Sequence, residues 1–92
     1  MTAENAKISV SEHALAQAAR RGLSEAVVLE VARAPEQRLP VRQGREIRQS
    51  RVTMPEGVTL CLVRVVVDIG PNGETVVTAY RTSKIDKYWS SP

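Results

Sequence analysis

Two short connectors constrain this chain more than any other feature: Met54-Pro55-Glu56-Gly57-Val58 and Gly70-Pro71-Asn72-Gly73-Glu74. Each reads x-Pro-x-Gly-x and lies between runs rich in Val, Ile, Leu and Thr. Proline presets the second position of a tight turn, and glycine accepts the left-handed position that follows. Each connector therefore predicts a three-residue hairpin loop with a bulge. Three antiparallel strands result, over Arg45–Met54, Val58–Ile69 and Glu74–Thr82, the middle one richest in valine.

The loops also predict a register. With Met54 opposite Val58, Arg48 stands opposite Arg64; with Gly70 opposite Glu74, Arg64 stands opposite Tyr80. Directly opposed residues project to one face. Arg48, Arg64 and Tyr80 then form a row across three strands, with Ser50, Thr78 and Thr82 nearby. The other face carries Cys61, Val63, Val65, Val67 and Ile69, joined by Ile47, Val77 and Ala79, and reads as core. Opposed arginines repel, so an anionic ligand would give the row a reason. The competing reading is solvated charge, or ion pairs with Glu46 and Asp68. A one-residue slip would reverse every assignment on the slipped strand.

The N-terminal half reads differently. Lys7 to Val10 is a short strand, and Ser11 caps a helix from Glu12 to about Arg20, with Gly22 past its end. Ser24 caps a second helix that ends near Pro35 and turns Val27, Val28, Leu29, Val31 and Ala32 inward. In the first helix Leu15, Ala18 and Ala19 form the apolar side, which leaves His13, Gln17 and Arg20 on the outer one. The expected architecture is α+β: one domain over residues 1–92, with two N-terminal helices packed on one face of a small antiparallel sheet.

Composition narrows the function classes. The apolar fraction of 42% suits a folded globule, although phenylalanine is absent. Nothing approaches the run of about 18 apolar residues that spans a bilayer, and the N-terminus lacks the order of a signal peptide. The single cysteine, Cys61, excludes an internal disulfide and fits a reducing cytoplasm, so a cytoplasmic protein without a membrane partner is expected. One histidine and one cysteine make no metal site, and no phosphate-binding glycine loop or serine elbow is present, so no metal or cofactor is expected. The net charge of +3 permits an anionic partner. Its basic residues gather in the middle and at the end, where Arg81, Lys84 and Lys87 accompany Tyr80, Tyr88 and Trp89.

His13-Ala14-Leu15, Arg21-Gly22-Leu23-Ser24, Pro35-Glu36, the stretch from Arg64 to Val67 and the closing stretch from Val77 to Tyr88 together resemble a small prokaryotic domain-of-unknown-function family. That family is similar to RNase toxins of the barnase, colicin and RelE type, in which helices pack on an antiparallel sheet whose open face binds RNA. The resemblance implies an endoribonuclease toxin of a toxin–antitoxin or polymorphic toxin system, with an antitoxin or immunity protein as partner. By position it implies catalytic roles for His13, Arg64, Thr78 and Tyr80. Many relatives carry arginine one turn after the histidine, where this chain has Gln17.

The chemistry so implied is metal-independent cleavage of RNA by the neighbouring 2′-hydroxyl. Histidine has the right pKa to accept or return the proton. Arginine binds phosphate oxygens through paired hydrogen bonds and stabilises the charge that develops there. Arg48, Arg81, Lys84 and Lys87 are then phosphate contacts, which give affinity without reading sequence. Trp89 is read as pinning the tail, with stacking on an unpaired base as the other role. The same basic face also suits a non-catalytic RNA- or protein-binding module, and an exposed sheet edge suits strand addition by a partner.

Overall fold

The computed structural model describes residues 7–54, 57 and 59–91. Its elements run β1 (Ile8–Val10), α1 (Glu12–Arg20), α2 (Glu25–Arg33), β2 (Gln37–Arg42), β3 (Arg45–Thr53), β4 (Leu60–Gly70), β5 (Gly73–Thr82) and α3 (Ile85–Tyr88). The strands form one five-stranded sheet in the order β1-β5-β4-β3-β2. It is mixed: β1 pairs with β5 in parallel, and the other neighbours are antiparallel.

Local chemistry sets the helix ends. The Ser11 and Ser24 hydroxyls accept hydrogen bonds from the N–H groups of Ala14 and Val27, three residues into each helix. Gly22 ends α1 at φ +71°, and the Leu23 N–H reaches back to the Ala18 carbonyl, a left-handed cap that glycine adopts without strain. Ala14 and Ala18 of α1 and Val28, Val31 and Ala32 of α2 enter one core with Cys61, Val63, Val65, Val67, Val76 and Ala79. Alternate residues of β4 thus point at the helices, and Leu62, Arg64, Val66 and Asp68 point away. Ala19 is exposed, and Ala14 takes the inward place expected for it.

Both hairpins differ from the expected loops. Between β3 and β4 the first bond is Met54 N–H to Thr59 O, and the ladder pairs Thr53 with Leu60 and Gln49 with Arg64. The loop is therefore one residue longer than a three-residue turn, and β3 slips by one position. The proposed Met54–Val58 pair and the strand start at Val58 fall outside the described residues. Arg48 accordingly faces Val65 rather than Arg64, which removes a like-charge opposition. Ser50 moves with it to the helix-covered face and accepts from Glu36 N–H, while Ile47 moves to the open face.

The second hairpin is tighter than expected, with Gly70 paired to Gly73. Gly73 sits at φ +145°, and a Cβ there would lie 2.9 Å from the Lys7 carbonyl oxygen, so only glycine fits beside β1. Val67 pairs with Val76 and Val66 with Thr78, which makes Val77 a bulge. The bulge restores the expected pairing of Arg64 with Tyr80. Ile69, expected in the core, is 42% exposed near the hairpin tip. Two further elements, β2 and α3, have no counterpart in the expected three-stranded sheet.

Arg48 is the largest fully buried side chain, 1% exposed. Its guanidinium forks onto both carboxylate oxygens of Glu74 at 2.8 and 3.0 Å, binds Glu46, and donates to the Ala32 carbonyl in the last turn of α2. One arginine so joins β3, β5 and α2. The Arg48 hydrogen bond holds the Glu74 carboxyl below its ordinary value of 4.5, against an opposing effect of burial. A carboxyl whose folded pKa is lowered stabilises the fold above its unfolded pKa, and that contribution is lost as pH falls through the folded value. Arg48→Ala should therefore cost about 3 kcal/mol in urea unfolding at neutral pH. The gap from the parent should shrink as the pH falls below 4.5. Equal stability of parent and variant at neutral pH would contradict this role.

Candidate phosphate-binding site

The sheet face opposite α1 and α2 holds a second buried arginine in a different setting. Arg64 is 8% exposed, and its hydrogen bonds go to uncharged oxygens: Nε donates to Gln49 Oε1 at 2.8 Å, and Nη1 to the Tyr80 hydroxyl at 2.7 Å. Gln49 stands opposite it on β3 and Tyr80 opposite it on β5, so the ladder itself brings the three together. By contrast Arg38, Arg45, Arg48 and Arg51 each pair with a carboxylate. Among the described residues no carboxylate pairs with Arg64.

The C-terminal segment crosses this face. After β5 the chain turns into the single turn of α3, where the Tyr88 ring lies 4.4 Å from the Arg64 guanidinium carbon, a cation–π contact. Gln49 Nε2 donates to the Tyr88 carbonyl at 3.1 Å and to Gln37 Oε1 at 2.7 Å. Gln37 in turn donates to the Ser90 carbonyl at 2.7 Å and accepts from the Ser90 N–H at 3.1 Å. Arg51 lies 4.2 Å from the Trp89 ring centroid. These contacts bury Gln49 completely and leave Arg64 a narrow outlet to solvent. Trp89 is half-buried there.

The sequence-derived residues divide into four groups. Arg64, Tyr80 and Thr78 share the open face, with Thr78 two pairs along from Tyr80. Arg48 lies on the opposite face, enclosed and neutralised, so the expected row of Arg48, Arg64 and Tyr80 is corrected to Gln49, Arg64 and Tyr80. Arg81, opposite Val63, is also on the helix-covered side, with Nη1 3.6 Å from the Cys61 sulfur. Lys84 and Lys87 ride exposed on the crossing segment.

His13 is exposed in the first turn of α1. One turn later Gln17, expected on the outer side, is half-buried and accepts the Ala79 N–H at 3.1 Å. That amide belongs to β5 just beyond its last pairing with β1, where the strand edge needs another acceptor. Among the described residues, no hydrogen bond joins His13 to Arg64, Thr78 or Tyr80.

The partners sequence reasoning missed are Gln49, Gln37 and the Tyr88 ring. Gln49 is adjacent to Arg48 in sequence, so a four-residue reading of the first loop would have found it. Gln37 belongs to β2, whose signal was Leu39 and Val41 alternating before Gln43-Gly44, a two-residue connector to β3. Pro40 concealed that strand, though proline is tolerated on an edge.

Among the described residues no helix is long and apolar enough to cross a membrane. Residues 10–81 match the profile of a family described as a domain of unknown function, DUF4258, and the chain belongs to that family. No curated protein and no solved structure matches the chain.

Because Trp89 is the chain's one tryptophan, its fluorescence reports docking of the tail directly. Gln37→Ala removes both hydrogen bonds to Ser90 and should make Trp89 more accessible to an acrylamide quencher. The unfolding midpoint should fall modestly, since the two bonds to Ser90 are exposed, the third, from Gln49, is part-buried, and each net hydrogen bond contributes only about 1 kcal/mol. Unchanged quenching would mean that the amide pair does not hold the tail.

Proposed function

We propose that this member of the DUF4258 family is a metal-independent endoribonuclease of the toxin type, in which Arg64 and Tyr80 hold the reacting phosphate of single-stranded RNA. The observation that carries this reading is the buried, uncompensated charge of Arg64, hydrogen-bonded to the Tyr80 hydroxyl. Burying a guanidinium with only neutral partners is costly, and a phosphodiester would supply the missing negative charge.

In the reaction the 2′-oxygen attacks phosphorus, the bond to the 5′-oxygen breaks, and the proton lost by the 2′-hydroxyl is balanced by one gained by the leaving oxygen. Arg64 stabilises the charge on the non-bridging oxygens, and the Tyr80 hydroxyl donates to the same group. Thr78 adds a hydroxyl two residues along the strand, on the same face. His13 carries the proton step from the helix layer. Its structural tie is indirect: Gln17, one turn along α1, accepts the Ala79 N–H of β5, beside Tyr80 in sequence, while His13 stays exposed on the helix side of the sheet. Lys84 and Lys87 contact flanking phosphates, and an antitoxin or immunity protein would mask the same face.

A second reading, an RNA-binding module that does not cleave, is favoured by one observation. Gln17 spends its side-chain acceptor on the fold, where many relatives are expected to have arginine. Tyr80→Phe and His13→Ala separate the two readings. In the toxin reading Tyr80→Phe should lower turnover by about 10²-fold with RNA affinity nearly unchanged, since its hydroxyl acts on developing charge. His13→Ala should lower it by roughly 10²–10⁴-fold. Cleavage at the parent's rate by both variants would refute the catalytic assignment. Binding by the parent without cleavage, even with ribosomes present, would establish the module.

A further inference from the structure

We infer that Gln49 is a positioning residue which keeps Arg64 both fixed in place and electrostatically unpaired for an incoming phosphate. The inference rests on the proposed phosphate role of Arg64. Gln49 is fully buried and uses both ends of its side-chain amide: Oε1 accepts from Arg64 Nε, while Nε2 donates to Gln37 Oε1 and the Tyr88 carbonyl. The amide has no rotational choice left. It cannot flip, because its NH₂ group would then point at the Arg64 Nε–H and its oxygen at the Tyr88 carbonyl.

The consequence is geometric and electrostatic together. A guanidinium offers five donors in a planar fork. Holding Nε from one side and Nη1 at Tyr80 sets the plane of that fork and leaves the remaining N–H groups uncommitted among the described residues. A neutral acceptor does this without cancelling the charge. Glutamate is nearly the same size and would hold the Arg64 Nε–H with one oxygen, but its carboxylate would neutralise the cation and set its other oxygen against the Tyr88 carbonyl and Gln37 Oε1. The protein uses carboxylates in that way elsewhere: Glu46 and Glu74 on Arg48, Asp68 on Arg45 and Glu36 on Arg51. The choice of an amide at position 49 therefore separates the arginine that builds the fold from the arginine that meets a ligand.

The test is Gln49→Glu, observed through the Arg64 Nε–H resonance by ¹⁵N NMR during titration with inorganic phosphate, and through binding of a single-stranded RNA oligonucleotide. In the parent the resonance should shift with phosphate. In the variant the affinity for phosphate should fall about ten- to a hundredfold, the worth of a charge-assisted hydrogen bond. A merely structural glutamine would leave the phosphate affinity unchanged whatever the change in stability. If the variant does not fold, Gln49→Met removes the acceptor without adding charge. Its phosphate affinity should then fall as the fork loses its tether, and an unchanged affinity overturns the inference. A parent whose Arg64 resonance ignores both phosphate and RNA also overturns it. A parent that responds to phosphate but binds no RNA leaves the role of Gln49 standing and removes the ribonuclease reading.

Discussion

The pairing of Gln49 with Arg64 across β3 and β4 governs the rest of the molecule. Side chains alternate strictly along a strand, so this one pair decides which arginine lies beneath the helices and which on the open face. In the observed register Arg48 meets Glu46 and Glu74 and joins β3, β5 and the end of α2. Arg64 is then left on the other side with an amide, a phenol and a tyrosine ring for company. Shifting β3 by one residue would set the two arginines against each other and carry Arg48 and Glu46 to the face away from Glu74. Charge placement therefore selects the register as firmly as apolar burial does.

The same placement sorts the basic residues by role. Arg38, Arg45, Arg48 and Arg51 are balanced by acids and belong to the architecture. Arg64 is buried without such a balance, and it lies where the C-terminal segment crosses the sheet. That segment docks through a few polar bonds and two arginine–aromatic contacts, without burying any residue of α3 completely. An RNA strand approaching Arg64 has to share the face with Tyr88 or move it. The tail that closes the site in the free protein is thus also the element that ligand binding would rearrange.

Much of this was legible beforehand, and the failures have physical causes. Helix caps at Ser11 and Ser24 and the valine face of β4 follow from side-chain chemistry that acts over a few residues. The pairing of Arg64 with Tyr80 was reached through two compensating differences, a shorter turn and a bulge at Val77. Arg48 was misplaced because x-Pro-x-Gly-x is compatible with more than one loop length, and a one-residue change inverts a strand. The mixed character of the sheet was hidden for another reason. The parallel pairing of β1 with β5 depends on contact between segments more than sixty residues apart, and no local pattern encodes it. Gln49 and Gln37 drew no attention because glutamine acquires meaning only from its partners.

The central claim is that the unbalanced Arg64, held between Gln49 and Tyr80, is the seat of an RNA phosphate. Its most direct test is a crystal structure with a short RNA carrying 2′-fluoro in place of each 2′-hydroxyl, which blocks 2′-hydroxyl attack and traps the bound state. The account predicts a phosphate oxygen about 3 Å from both Arg64 and the Tyr80 hydroxyl, with Tyr88 displaced from the guanidinium or stacked on a base. RNA bound instead across the exposed arginines of α1 and α2, with Arg64 still enclosed by Gln49, Tyr80 and Tyr88, would contradict it.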